Sequence, residues 1–215
     1  MTRRIAVITG DVIDSRHIHD TRRLSRVLDD TMALLRTRFA GRTQRYRGDG
    51  FQAALPGAAE AISVAVLLRA ALIRHSTRDQ RWDARLAIAI GNDDEWERSP
   101  PLGEASGAPY VASGQALDAL DDDKHLCLML EGAAGDGCLE LLLRFVDERL
   151  DDWSAASAEA VYHQLCQAES QQALAVRLGI SQPAVHKRLH NARWPLLKAT
   201  LEFLERRIKE EGQVP

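Results

Sequence analysis

The chain has 215 residues, a length that suits one or two domains, and its 45% apolar and 27% charged residues exclude a globally disordered polymer. The net charge of −3 says little until its distribution is read. Cys127, Cys138 and Cys166 have no paired spacing, which excludes a zinc-finger or disulfide framework and leaves small core residues or free thiols.

Taken in chain order, Arg4 to Thr9 is a short apolar run ended by Gly10, the pattern of a buried strand. Leu24, Val27, Leu28, Met32 and Leu35 recur at helical spacing, which predicts an amphipathic helix from Asp20 to Phe39. Gln44 to Arg47, the turn residues Gly48-Asp49-Gly50, and Phe51 to Leu55 predict a hairpin. Pro56-Gly57 ends it, and Ala58 to His75 reads as a long Ala- and Leu-rich helix. Asp83 to Ile90 is a strand, Asp93 to Gly107 a polar loop, Tyr110 to Leu120 a helix, and His125 to Leu130 a last strand. This order predicts an α+β fold, a largely antiparallel sheet covered by helices on one face. The small-residue break Gly132 to Asp136 marks a boundary between a sheet domain at 1–132 and an all-α domain at 137–215. Leu139 to Leu150 is read as a linker or first helix with its acidic positions facing out.

The C-terminal part carries a more specific pattern. Ala158 to Gln167 and Gln171 to Leu178 are helical, and Gly179 supplies a left-handed turn. Ile180 plugs the turn, Ser181 is a good N-cap, and Pro183 sits in the first turn of the next helix. Ala175, Gly179 and Val185 stand at helix-turn-helix spacing. No Asp or Glu occurs between Ser170 and Leu201, so the segment is a basic zone in a mildly acidic protein. A helix of this kind fits a DNA major groove. Gln182 and Asn191 are the candidate base contacts, with Gln182 preferred because it lies nearer the helix start. Lys187, Arg188 and Arg193 are the candidate phosphate contacts, and His186 stands beside them. A helical hairpin with a solvated basic face is the plainer alternative. Trp194, Leu197, Leu201, Leu204 and Ile208 predict a packing helix that also suits a dimer interface.

The N-terminal part places two aspartates at strand ends. Asp11 follows the first strand, and Asp49 sits in the hairpin turn. A first strand beside the hairpin would bring both carboxylates together, where a hard cation such as Mg2+ could lie between them and orient a triphosphate. Turn chemistry explains the same Gly-Asp pairs without any ligand. Asp14 and Ser15 could cap the following helix. Arg16, Arg45 and Arg47 could pair with the aspartates or meet the phosphates of an anionic ligand.

Gly10 to Ile13 and Arg45 to Ala53 resemble the two metal-aspartate motifs of class III nucleotidyl cyclases, and Arg85 to Gly91 resembles the strand that follows in that fold. The resemblance implies a ferredoxin-like, cyclase-like core in which Asp11 and Asp49 hold metal and Arg45 lies near a base-selecting position. Asp118 and Asp122 stand where that family has a transition-state Asn and Arg, and Pro109 stands where it has a base-recognising acid. The whole chain more closely resembles the SatD family, through Ile8 to Arg16, Gly48 to Gln52, Arg85 to Gly91, Ala108-Pro109-Tyr110 and Ala175 to Arg188. That resemblance implies a bacterial protein of poorly defined function with a C-terminal DNA-binding domain.

The expectation from sequence is therefore a DNA-binding regulator rather than an enzyme, with a ligand-sensing or dimerising N-terminal domain. Its expected partners are DNA, a nucleotide or other anionic small molecule, and a second copy in a homodimer. The competing expectation is a divergent metal-dependent nucleotidyl cyclase or phosphotransferase, and a third is an interaction adaptor. No run approaches about 18 apolar residues and no signal peptide is recognisable, so a cytoplasmic protein without a membrane partner is expected.

Overall fold

The structure is a computed structural model that describes residues 3–46, 48–94, 96, 101–105, 107–132 and 137–211. Strand β1 (Arg3–Val12) lies at the centre of a five-stranded sheet. Helix α1 (Thr21–Arg38) leads to the hairpin of β2 (Arg42–Arg45) and β3 (Phe51–Leu55). Helix α2 (Ala61–Ile73), β4 (Ala84–Asp93), helix α3 (Ala108–Asp118) and β5 (Leu126–Leu130) complete the sheet region. The strand order is β2-β3-β1-β4-β5. β1 is antiparallel to both β3 and β4, and only β5 runs parallel to its neighbour. The βαββαβ order with these pairings is the ferredoxin-like arrangement, extended by one crossover through α3.

Alternation along β1 decides which side chain meets which layer. Ala6 and Ile8 turn towards α1 and α2, while Ile5 and Val7 turn the other way. Both sets are fully buried, because helices cover both faces of the sheet rather than one. Trp96, Leu102 and Tyr110 pack on Ile5, Val7 and Ala54; Leu117 and Leu120 pack on Ala87. The polar stretch expected to be a loop thus contributes two isolated apolar anchors, Trp96 and Leu102. Residues 95, 97–100 and 106 of that stretch lie outside the described residues.

Asp20 caps α1 by accepting the backbone N–H of Arg23 at 2.9 Å. Asp14 and Ser15 do not cap that helix. They open a short 3-10 turn, Ser15–His17, with Asp14 in the left-handed region at φ 51. Helix α2 is buried along almost its whole length, because the sheet and α1 lie against it on one side and C-terminal helices on the other.

Those helices are α4 (Gly137–Asp151), α5 (Ala155–Cys166), α6 (Gln171–Leu178), α7 (Gln182–Asn191) and α8 (Trp194–Glu211). The core runs without interruption from the sheet through α2 to Val161, Leu174, Val185, Leu201 and Ile208. Residues 133–136, where a boundary is expected, lie outside the described residues. The acidic positions of α4 do not all face out. Asp147 falls among Leu143, Val146 and Leu150 on the inward face and is 1% exposed.

Candidate functional site

The β1–β3 register pairs Gly10 with Phe51, so Asp11 and the Asp49 turn stand at the same end of adjacent strands. Gly10 is obligatory at this crossing: a Cβ there would lie 2.4 Å from Leu86 Cδ2 and 2.9 Å from the Arg85 carbonyl oxygen. Asp11 is opposite Arg85 on β4, which donates Nη2 to Oδ2 at 2.9 Å and Nε to Oδ1 at 3.3 Å. The hydrogen bond to Asp11 holds Arg85 more firmly charged, and Asp122 and Asp118 add to the same field. Asp49 accepts a hydrogen bond from the Ser15 hydroxyl, which ties the hairpin turn to the segment after β1.

The arginines expected beside these aspartates lie elsewhere. Arg45 reaches across to α1, where Nη1 meets Asp29 at 2.8 Å and Ser25 Oγ at 2.9 Å, and Nη2 holds the Gly48 carbonyl oxygen at 3.0 Å. Arg16 is exposed on the 3-10 turn, and Arg47 lies outside the described residues. Arg85 and Ser15 take the roles expected of them, because cross-strand register brings these two, and not the hairpin arginines, to the carboxylates.

A second group at the same sheet end is absent from the sequence-based expectations. Arg69 is the lone charge in the apolar run of α2 and is fully buried. It grips Asp83 at 2.8 Å through both Nε and Nη2, Asp147 at 2.6 Å through Nη1, and Asp151 at 2.6 Å through Nη2. Asp147 also accepts the backbone N–H groups of His125 and Leu126 at the start of β5. Burial raises the Asp147 carboxyl above its ordinary value. Burial pushes Asp151 the same way, but hydrogen bonds from His125 and Arg69 outweigh it and bring it to about 2. The signal in the sequence is the lone Arg in an apolar helix, since a buried guanidinium needs buried carboxylates.

His125, Asp147 and Asp151 place ligand atoms within 4.8 Å of one another, a donor set that could hold a metal ion. Here two of the three already share the Arg69 guanidinium. Beside them lies a cavity of about 510 Å³ lined by Asp14, His17, Asp79, Arg81, Asp83, His125 and Asp151 among others. The expectation of a chain without enzymatic chemistry is corrected by this finding: a His/Asp/Asp group that could hold a metal ion opens on a cavity at the carboxylate-rich end of the sheet.

The segment expected to be a helix-turn-helix contains α6, a left-handed turn and α7. Gly179 has φ 64, and its N–H closes the end of α6. The Ser181 side chain accepts from the Ala184 N–H and caps α7, with Pro183 in the first turn. Val185 and Leu189 point inward, while Gln182, His186, Lys187, His190, Asn191 and Arg193 are exposed. Two of these positions have local partners: Gln182 donates to Gln171 at 3.1 Å, and half-buried Arg188 pairs with Glu159 of α5 at 2.6 Å.

No family model matches the chain, and no curated protein matches it. Among solved structures, the guanylyl cyclase Cya2 is similar at 16% identity over 60% of this chain and 75% of that one, with a TM-score of 0.43. The active GGEEF domain of a diguanylate cyclase from Vibrio cholerae is similar at 14% identity over 61% of this chain and 85% of that one, also with a TM-score of 0.43. No described helix is long and apolar enough to cross a membrane. The chain has an α+β sheet region of the ferredoxin-like type followed by an α-helical region.

Proposed function

We propose that this protein is a divergent metal-dependent enzyme of nucleotidyl-cyclase or phosphotransferase chemistry, with its centre at the sheet end formed by Asp11 and Asp49. The observation that carries the reading is the gathering of acidic side chains at that one end. Asp11 comes from β1, Asp49 from the hairpin, and Asp83, Asp147 and Asp151 from the Arg69 network. Asp11 and Asp49 offer hard oxygen donors that suit Mg2+. Bound there, Mg2+ would neutralise phosphate charge and orient a nucleoside triphosphate. Residues of this chain would do the rest: the Ser15 hydroxyl fixes the Asp49 carboxylate, and Arg16, exposed beside it, is a candidate for a phosphate oxygen. Calorimetric titration with MgATP and MgGTP tests this. Binding that needs the cation and is lost in Asp11→Ala and Asp49→Ala supports the reading, and binding indifferent to both substitutions defeats it.

A second reading concerns the other half of the chain and is compatible with the first. The exposed face of α7 favours a nucleic-acid contact, with Gln182 and Asn191 towards bases and Lys187, His186 and Arg193 towards phosphates. The helical region at 137–215 would then be the DNA-binding domain of a SatD-like protein, serving to bring the sheet domain at 1–132 to DNA. Retarded migration of duplex DNA that weakens with salt supports it; no shift at low salt removes it.

A further inference from the structure

The proposed metal position is already facing a cation. Asp11 is the aspartate that the proposed function needs, yet both of its oxygens receive N–H groups of Arg85. The two side chains are similarly half-exposed, at 35% and 33%, so the pair is open to solvent and can part without unpacking the core. Asp118 at the end of α3 and Asp122 just beyond it also favour the Arg85 charge, so the guanidinium stays in an acidic field when it leaves Asp11. Thr9 precedes Asp11 on the same face of β1, but its hydroxyl is engaged with Ser113 at 2.7 Å and with Gln52 at 2.9 Å. Arg85 is therefore the neighbour whose release frees Asp11.

We propose that Arg85 is a built-in competitor for the divalent cation: it holds the Asp11 carboxylate and moves towards Asp118 and Asp122 when the metal binds. The inference rests on the reading of Asp11 as a metal ligand and adds a positioning residue to it. Two cations cannot share one carboxylate edge without strong mutual repulsion, so every metal-binding event at Asp11 includes the parting of this ion pair. A half-exposed pair of this kind holds its partner modestly, and losing it should tighten metal binding by about twofold to fivefold.

The test uses the full chain and Mn2+ alone, with free Mn2+ read by its paramagnetic resonance signal. Wild type, Arg85→Met, Arg85→Lys and Asp11→Asn are compared, each with its fold checked by circular dichroism. The proposal expects Arg85→Met to bind Mn2+ more tightly than wild type, Arg85→Lys to fall between them, and Asp11→Asn to lose the site. Should Arg85→Met bind no more tightly than wild type while Asp11→Asn still loses binding, the competition is refuted and the metal-ligand reading stands. Should Asp11→Asn bind like wild type, or none of the four bind, both fall together. If Arg85→Met fails to fold, the Arg85→Lys comparison alone decides by the same criterion.

Discussion

Arg69 of α2 and Asp147 of α4 meet at 2.6 Å, with side-chain exposures of 0% and 2%. Through this pair one guanidinium links α2, the start of β4 at Asp83, the start of β5 through the N–H groups bonded to Asp147, and the end of α4 at Asp151. Removing the guanidinium takes the only arginine from buried Asp147 among the described ion pairs and leaves Asp83 with Arg81 alone. Arg69→Met is expected to cost about 3–5 kcal/mol in urea unfolding, the scale for breaking a buried ion pair. A loss below about 1 kcal/mol would mean that water or another cation reaches these carboxylates.

Under the nucleic-acid reading of α7, its basic residues are not equally available. Lys187 is exposed, whereas Arg188 is held by Glu159 at 2.6 Å. Lys187→Ala is expected to weaken duplex binding and to lower the slope of log affinity against log salt by about 1. Arg188→Ala should change that slope less. Measured retardation across a salt series that ranks Arg188 above Lys187 would show that the Glu159 pair opens on the duplex.

Acid sensitivity is expected from His75. Burial, then Arg74 and Arg23, hold its pKa down to about 4, against 6.5 for an unperturbed imidazole. Its Nδ1 lies 3.0 Å from Arg23 Nη2, a contact that the neutral ring accepts. The unfolded chain takes up the proton first, so the folded state loses stability as pH falls from 6.5 to about 4 and no further from this group below that. His163, also lowered chiefly by burial, acts in the same direction. Thermal melts between pH 7.5 and 4.5 should show a shallower decline for His75→Gln than for wild type, and parallel declines would assign the effect elsewhere.

Much of the fold was legible because periodic patterns dominate it. Leu24, Val27, Leu28 and Leu35 at helical spacing gave α1, and Gly179 with Ser181 gave the turn before α7. The second covering layer was not legible, since Trp96 and Leu102 are single apolar residues in a polar stretch and acquire a role only against Ile5 and Val7. At the candidate site, Asp11 and Asp49 could be picked out by type and position. Their partners could not, because Arg85 reaches Asp11 through a strand register that no local pattern encodes. Arg69 carried the strongest missed signal: one charge in a helix that is otherwise apolar implies carboxylates brought from distant segments, here Asp83, Asp147 and Asp151.

Phosphorus magnetic resonance of each of the four nucleoside triphosphates, incubated with the full chain and Mg2+, addresses the sheet-end chemistry most directly. The account predicts conversion of at least one triphosphate with release of phosphate or pyrophosphate, abolished by chelation and by Asp11→Asn or Asp49→Asn. Four unchanged spectra from folded protein would contradict it, as would turnover that persists in both variants.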